Sequence, residues 1–299
     1  MKKEENDILM EKIISLSKRR GFIYQGSEIY GGLAGTWDYG PLGVTLKNNI
    51  KSSWWKKFVE SREDMYGIDA AILMNQQVWK ASMHVDTFTD PLVECTKCHR
   101  RFRADALREP GLCDACGSKV GEPKSFNMMF KTQIGALEDS SATAYLRPET
   151  AQGIFVNFKN IVDSFHPKLP FGIAQIGKAF RNEITPRDFI FRVREFEQME
   201  IEYFIKPSDW EKYFNYWKDE TMEWIEEIGL NDGKIHLVEI DQDSLAHYSK
   251  RTIDVEFEFP FGQKELFGLA YRTDFDLKRH NLFYLDEETK EKIIPHVIE

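Results

Sequence analysis

The sequence lacks the features of a membrane or secreted protein. No apolar run approaches the roughly 20 residues that span a bilayer, and the start, Met1-Lys-Lys-Glu-Glu-Asn-Asp, lacks the apolar core of a signal peptide. The glycine-rich loop at 30–35 lacks the Lys-Ser/Thr pair of a phosphate-binding P-loop. There is also no Ser/His/Asp or Cys/His constellation for nucleophilic catalysis. The lack of a membrane span and of a signal peptide predicts a cytoplasmic protein with no membrane partner.

Basic residues are outnumbered, at 40 Lys and Arg against 49 Asp and Glu, so that the net charge is -9. A nucleic-acid-binding surface would therefore have to be a local patch, which speaks mildly against a pure RNA-binding module. Hydrophobic residues make up 42% of the chain and aromatic residues 13%. This composition is enough for the core of one large or two ordinary domains.

The only four cysteines form two Cys-x2-Cys pairs, Cys95/Cys98 and Cys113/Cys116, with 14 residues between the pairs. Two such pairs can place four thiolates around one tetrahedral ion, and this spacing predicts structural zinc with no open position for chemistry. A redox pair and two disulfides are alternatives, disfavoured by the duplication and by the cytosolic context. His99 is expected to be a surface residue and not a ligand.

The apolar spacing predicts an α+β fold, an antiparallel sheet flanked by helices with a zinc-ribbon insertion. A stretch at 5–20 has one apolar stripe and is expected to be a packing helix. The remaining predicted elements are a helix over 42–62 after Pro41, an apolar strand at 126–130, a polar loop at 138–141, a helix starting at Pro148, a helix with an aromatic stripe over 210–228, and strands at 236–238 and 253–259.

A hairpin is predicted from Ile173–Phe180 and Phe191–Phe204, because the residues between them, Thr185–Asp188, are turn formers. Alternation along the second strand would put two cations, a ring, an amide and a carboxylate on one face. Those residues are Arg192, Arg194, Phe196, Gln198 and Glu200. Such a face suits a ligand with a phosphate, a flat base and an ammonium group. The alternative is a solvated edge hairpin with cross-strand ion pairs.

The amino-acid sequence of this hairpin also resembles that of a known family. Phe180-Arg181-Asn182-Glu183 followed by Arg192-Val-Arg-Glu-Phe196 resembles motif 2 of the class II aminoacyl-tRNA synthetases, and Arg147-Pro-Glu-Thr-Ala-Gln-Gly153 resembles the family's lead-in to it. Three further stretches, at 32–43, 101–105 and 265–277, are similar to the single-chain, homodimeric glycyl-tRNA synthetases. The resemblance covers nearly the whole chain.

The resemblance implies three regions. Residues 1–91 would be the first part of the catalytic domain with the motif 1 helix of the homodimer, residues 92–121 the zinc-ribbon insertion, and residues 122–299 the catalytic core with motif 2. It also implies a continuation beyond Glu299 into motif 3 and an anticodon-binding domain. The 299 residues alone are therefore expected to be impaired in activity.

The implied function is activation of glycine by ATP and Mg2+ to glycyl-adenylate, followed by transfer to tRNA(Gly). Arg181 and Glu183 would be the catalytic residues, contacting the α-phosphate and the adenine amino group. The implied ATP site consists of Arg181, Asn182, Glu183, Phe191, Arg192, Val193, Arg194, Phe196, Glu265 and Leu266. The implied glycine site consists of Arg103, Glu149, Phe196, Gln198, Glu200, Arg272 and Glu299.

Two other functions are compatible with the same residues. The first is a class II synthetase-like binding module without catalysis, and the second is a zinc-ribbon nucleic-acid-binding protein. Retention of Arg181, Glu183, Phe196 and Glu200 together argues against the first. The acidic balance argues against the second.

Overall fold

The computed structural model describes residues 2–136, 142–230, 233–286 and 289–299, and the side chains of all of these but 2 and 3. The polar loop predicted at 138–141 lies outside this part of the chain. The helices are α1 (Lys2–Arg19), α2 (Pro41–Trp55), α3 (Gln76–Ala81), α4 (His84–Thr87), α5 (Ala151–Phe165), α6 (Trp210–Glu227) and α7 (Phe275–Arg279).

The strands follow the same chain order. They are β1 (Ile23–Gln25), β2 (Trp37–Tyr39), β3 (Met65–Ile68), β4 (Thr89–Glu94), β5 (Arg101–Arg103), β6 (Lys124–Asn127), β7 (Lys131–Gln133), β8 (Thr143–Tyr145), β9 (Phe171–Phe180), β10 (Glu195–Ile205), β11 (Ile235–Glu239), β12 (Arg251–Phe259), β13 (Gly262–Thr273), β14 (Tyr284–Leu285), β15 (Lys292–Ile293) and β16 (His296–Ile298).

A seven-stranded sheet carries the fold, in the order β11-β12-β13-β16-β10-β9-β3. Its strands pair antiparallel, except that β3 runs parallel to β9. The predicted antiparallel sheet flanked by helices is confirmed. A separate three-stranded sheet, β5-β4-β6, carries the insertion that contains the cysteines.

Aromatic layers cover both faces of the main sheet. Alternation along β10 sends Tyr203 to the face covered by α2 and α6, and Phe204 to the face covered by α5. On α6 the predicted aromatic stripe is core, since Phe214, Trp217 and Trp224 are all buried. The two layers make β9 and β10 the most deeply buried strands and therefore a rigid support for side chains at their ends.

Helix α2 extends almost as far as predicted. It begins at Pro41, whose fixed φ suits the first helical position, and continues as a π-helical turn over Lys56–Glu60. Trp54 and Phe58, at its inner end, are buried in the core, whereas Leu46 at the outer end is 51% exposed. The helix therefore presents its first half outward.

The prediction that α1 packs through its apolar stripe is wrong for this chain. The helix forms as expected, but Ile8, Leu9, Ile13 and Leu16 are between 38% and 51% exposed. Its C-terminal end is tied to the body through backbone bonds such as Phe22 N–H to Ser17 O (2.9 Å). The stripe is therefore an uncovered apolar surface.

The first residues of one strand and one helix differ from the prediction. Strand β10 begins at Glu195 and not at Phe191, because the amide of Arg194 donates to Gly35 O (2.8 Å) and a turn with positive φ at Asp188 and Phe189 bends the chain away from β9. The predicted strand face therefore loses Arg192 and Arg194. Helix α5 begins three residues after Pro148, since the carbonyl of Arg147, the residue before Pro148, accepts from Phe180 N–H (2.8 Å) at the end of β9.

Candidate active site

A cavity of about 680 Å³ lies between β10 and β13. The short strand β16 joins these strands at one end only, by pairing with Tyr203–Ile205 on one side and with Tyr271 and Thr273 on the other. Above β16 the two strands face each other across the cavity, which Gln198, Glu200, Glu265, Leu266 and Glu299 line. The topology thus brings five of the predicted site residues together.

Three carboxylates meet at the closed end of this cavity. Oxygens of Glu200, Glu202 and Glu299 lie within 4.8 Å of one another, and Glu200 and Glu202 are 9% and 0% exposed. The hydroxyl of Thr150, at the start of α5, donates to Glu200. Burial, with Glu299 and Glu149 nearby, raises the pKa of Glu200 to about 8. These three carboxylates therefore form a buried acidic group that could pair with a cation.

Arg272 is the cation built into this end of the site. Its Nε and one terminal nitrogen each lie 2.9 Å from Asp276 Oδ2, and the other terminal nitrogen lies 3.0 Å from Glu299 Oε2. The ring of Tyr248 covers the guanidinium, with 3.9 Å between the ring centroid and Cζ. Burial opposes its charge, but Glu299 and Asp276 hold the pKa of Arg272 well above its usual range.

A β-bulge aims Arg272 at the cavity. The register of β13 against β16 shifts between Tyr271 and Thr273, and Thr273 adopts φ 60. A β-branched residue at positive φ is strained, and bulges turn a side chain away from the regular alternation. The local distortion is therefore what places this arginine among the carboxylates.

Glu149 forms the wall beside α5. His84 Nε2 lies 3.2 Å from one oxygen, and Gln152 donates to the other at 3.2 Å. Gln152 also donates to Asp276 Oδ1 (2.9 Å), so that the wall is bonded to the partner of Arg272. Burial works against ionisation, but His84 and Arg272 hold the pKa of Glu149 below its usual range.

The opposite end of the site carries the predicted phosphate and base contacts. Arg181 lies between two rings, with Cζ 5.5 Å from the centroid of Phe88 and 5.3 Å from that of Phe196. Its Nε donates to Pro148 O (3.1 Å), which leaves the terminal nitrogens of the guanidinium to face the site. Cation–π contacts of this kind fix the position of an arginine.

Glu183 is held by the two arginines of the motif 2 loop. Arg192 donates to its carboxylate at 3.2 Å, and Arg194 donates to its backbone carbonyl at 2.8 Å and to Ala34 O. Both arginines thus contact this end of the site although they lie outside β10. They reach the predicted ATP site from a loop before β10, where hydrogen bonds hold them, and not from the strand face that the alternation predicted.

The other predicted residues lie as follows. The backbone N–H of Asn182 donates to Met128 O at 2.7 Å. Phe191 packs against Phe259 and Phe261 at 5.2 and 5.1 Å between centroids, and Val193 is half-buried in the same loop. Arg103 pairs with Asp90 (2.8 Å) and Asp105 (2.7 Å) on the small sheet, and no contact described here joins it to the Glu200 carboxylate group.

Several residues of the site were not predicted from the sequence. Thr150 and Asp276 fall inside stretches that carry the family resemblance, so that signal could have found them. Glu202 follows Glu200 by two residues on the same face of β10, and the alternation could have found it. His84, at the start of α4, and Tyr248, in the loop before β12, carry no motif signal, and only the fold brings them in.

The four cysteines form a compact group in the insertion. Sγ of Cys95 lies 3.5 Å from that of Cys116, and Sγ of Cys98 lies 3.6 Å from that of Cys113. Ligands about 2.3 Å from a tetrahedral zinc ion would be roughly 3.8 Å apart. Backbone amides of residues 97 and 98 donate to Cys95 Sγ at 3.4 Å. The residues therefore fit a zinc site, and His99 points away with 74% of its side chain exposed.

Comparison with known proteins identifies the family. A family model described as tRNA synthetase class II core domain (G, H, P, S and T) matches residues 130–299. Glycine–tRNA ligase of Treponema denticola is 52% identical over 307 aligned residues, which cover 99% of this chain and 68% of that protein. Glycine–tRNA ligase of Geobacillus thermodenitrificans is 51% identical, with 99% of this chain and 72% of that protein covered. The chain belongs to the glycine–tRNA ligase family.

A solved structure agrees on the fold of this glycine–tRNA ligase family member. Prolyl-tRNA synthetase of Giardia lamblia, in complex with prolyl-adenylate, has a TM-score of 0.71 at 15% identity and covers 99% of this chain and 49% of that protein. The family resemblance drawn from motif 2 is confirmed. Among the described residues, no helix has the length and apolar character needed to cross a membrane.

Proposed function

We propose that the cavity between β10 and β13 activates glycine with ATP and that the resulting glycyl-adenylate is the donor for tRNA(Gly). One observation carries this proposal: on the hairpin of β9 and β10, a buried carboxylate group suited to an ammonium borders the cavity, and Arg181, suited to a phosphate, contacts Phe196 four residues before Glu200. The names of the relatives supply the amino acid and the tRNA.

At the closed end, the glycine ammonium would lie among Glu200, Glu299 and the wall formed by Glu149. Buried carboxylates bind an ammonium group strongly when few other cations compete for them. The terminal nitrogen of Arg272 nearest to Glu299 lacks an aligned hydrogen bond within the described chain. That nitrogen is the donor available for the substrate carboxylate.

Exclusion of larger amino acids would be steric, because the groups at this end are buried and bonded to one another: Thr150 donates to Glu200, and Arg272 contacts Asp276 and Glu299. Walls made of buried, hydrogen-bonded groups reject additional side-chain atoms.

At the open end, Arg181 would bind the α-phosphate, Glu183 would accept from the adenine amino group, and the base would stack on Phe196. Arg192 would lie near the outer phosphates. Glu265 and Leu266, on β13, face them across the cavity. Burial and the neighbouring Asp254 raise the pKa of Glu265, as expected for a carboxylate that a metal-bound nucleotide would stabilise as the anion.

The reaction needs no covalent enzyme nucleophile. The glycine carboxylate attacks the α-phosphorus and pyrophosphate leaves, so that charge develops on phosphate oxygens. Glu265, with Leu266, would help to hold the Mg2+ that accompanies ATP, and this ion would neutralise part of that charge. Arg181 is held by two rings and a carbonyl before the substrate arrives, and a preorganised donor of this kind is worth about 100- to 1000-fold in rate.

Glycine-dependent exchange of pyrophosphate into ATP tests this function. Any exchange that the purified chain catalyses should require glycine and not occur with alanine or proline, at the reduced rate expected for these 299 residues alone. Arg181→Gln should reduce the rate at least 100-fold, whereas Arg101→Gln, an arginine with 67% of its side chain exposed, should not change it. ATP binding without any exchange would favour a binding module that keeps the fold but has lost catalysis.

The cysteine group would hold structural zinc. Hydrogen bonds from the backbone and hydroxyl of Ser118 lower the pKa of Cys116 to about 6, which favours the thiolate that zinc requires. With four thiolates bound, the ion would have no position open to substrate, so its role would be to fold residues 92–121. Elemental analysis of reduced protein should find one equivalent of zinc.

The uncovered apolar surface supports a homodimer. Besides the α1 stripe and Leu46 on α2, the apolar residues Ile29 and Tyr30 are 88% and 87% exposed. Apolar patches of this kind are typical of interfaces between subunits. Sedimentation should show a dimer that Leu9→Glu weakens. A monomer at micromolar concentration would contradict this assembly.

A further inference from the structure

Glu202 is a buried acid for which the proposed reaction has no use. Its side chain is fully enclosed, and neither of its oxygens has a hydrogen-bond partner within the described part of the chain. The nearest cation is a terminal nitrogen of Arg272, 3.9 Å from Oε1. An ionised carboxylate left in this state would be very costly, because burial without partners removes its solvation.

The surroundings of Glu202 contain more acids than bases. Glu200 projects from the same face of β10 two residues earlier, and Glu299 approaches from the end of β16. Only Arg272 opposes them, and its closer contacts go to Asp276 and Glu299. The other polar groups that face this cluster are Glu149 and Thr150 before and at the start of α5, Gln175 on β9, and Tyr248 on the loop after β11.

We propose that Glu200 and Glu202 share one proton while the site is empty, and that an arriving ammonium group displaces it. The balance is simple: one carboxylic acid loses its proton to solvent, and the resulting carboxylate pairs with the ammonium that replaces the proton. The charge of the pocket is therefore the same before and after binding. Glu202 acts as a positioning residue, because it sets the charge of Glu200.

Electrostatics supports the shared proton. Two carboxylates in one enclosed site cannot both ionise, so the proton belongs to the pair. Burial is the largest cause raising the pKa of Glu202 well above its usual range, opposed by Arg272 and reinforced by Glu299 and Glu200. Because burial also raises the pKa of Glu200, amino-acid affinity should increase with pH until the pair has given up its shared proton and level off above that range.

The free protein can be tested without any ligand, by infrared spectroscopy of protein labelled with 13C in the glutamate side chains. A carbonyl band of a protonated carboxylic acid should persist at pH 7. Glu202→Gln should abolish it and Glu200→Gln should shift or weaken it, because burial alone already raises the pKa of Glu202, whereas Glu195→Gln, an exposed residue on the same strand paired with Lys178, should leave it intact. Absence of the band at pH 7 overturns the proposal.

Calorimetry with glycine tests the displacement, which rests on the proposed function. Binding heats measured at pH 7 in phosphate and in Tris should differ by the ionisation heat of about one proton released per glycine. Glu202→Gln should bind glycine and release well under half a proton. Binding with no release in the wild type would refute the displacement and leave the function intact. The infrared band without any glycine binding would support the shared proton and count against the function.

Discussion

Replacing Arg272 by methionine tests whether the carboxylate group is held together by this one cation. Arg272 is 1% exposed and contacts Asp276 and Glu299 at 2.9–3.0 Å. Methionine fills a similar volume and removes the charge, so that it leaves buried carboxylates without their partner. Removing one member of a buried pair costs about 3–5 kcal/mol of unfolding free energy. We expect a loss in that range at pH 8.

The loss should depend on pH in a definite direction. Without Arg272, the pKa of Glu202, which burial already raises above its unfolded value, rises further, and the folded protein binds more protons than the unfolded chain. Stability conferred by such protons is present below the unfolded pKa and disappears as pH rises. The difference between wild type and variant should therefore be smaller at pH 5 than at pH 8.

Urea unfolding followed by tryptophan fluorescence measures both quantities. Arg251→Met is the matched control, because Arg251 pairs with Glu239 at 2.8 Å but both side chains are substantially exposed, and such pairs contribute at most about 1 kcal/mol. A variant at Arg272 that loses no more than this control, or that loses the same amount at both pH values, would refute the reasoning.

Three further changes have expected results. Met83 precedes α4 at φ 68, where a non-glycine residue costs about 1–2 kcal/mol, so Met83→Gly should raise the unfolding free energy by roughly 0.5–1 kcal/mol after the entropic cost of glycine; a lower urea midpoint would contradict this. Glu200→Gln should weaken glycine far more than ATP, which parallel calorimetric titrations would show. Zinc chelation under reducing conditions should expose residues 92–121 to protease while the main sheet resists; equal cleavage with and without chelator would exclude a structural metal.

Periodicity predicted the main sheet and its helices because their apolar residues recur at the spacing of the element. The stripe of α6 and the alternation of Tyr203 and Phe204 each map onto one packed face. The same reasoning failed for α1, whose stripe is regular but exposed, since periodicity shows that a face is apolar and not what covers it. Nothing in the spacing of Ile8 and Ile13 distinguishes an intrachain core from an interface.

The motif 2 loop shows a different limit. Alternation assumes that every residue of a segment lies in the strand, but the chain from Arg187 to Arg192 closes a turn of its own, and Arg194 bonds to a loop more than 150 residues earlier, at Ala34. A long-range hydrogen bond of this kind leaves no local signal. The motif nevertheless named two arginines, Arg192 and Arg194, that contact Glu183 in the structure, and their role in binding ATP stays a prediction.

The order of groups along β10 explains why one strand can organise the reaction. Phe196 and Glu200 project from the same face and are four residues apart, a spacing of roughly 13 Å, with Gln198 between them. Arg181 leans over Phe196 from the end of β9. An adenylate presents its groups in the same sequence, a base and phosphate followed by an acyl group and an ammonium. Because β10 pairs with β9 along its length and with β16 at Tyr203–Ile205, the sheet itself sets these spacings, and under the proposed function they would match an adenylate without rearrangement of the strands.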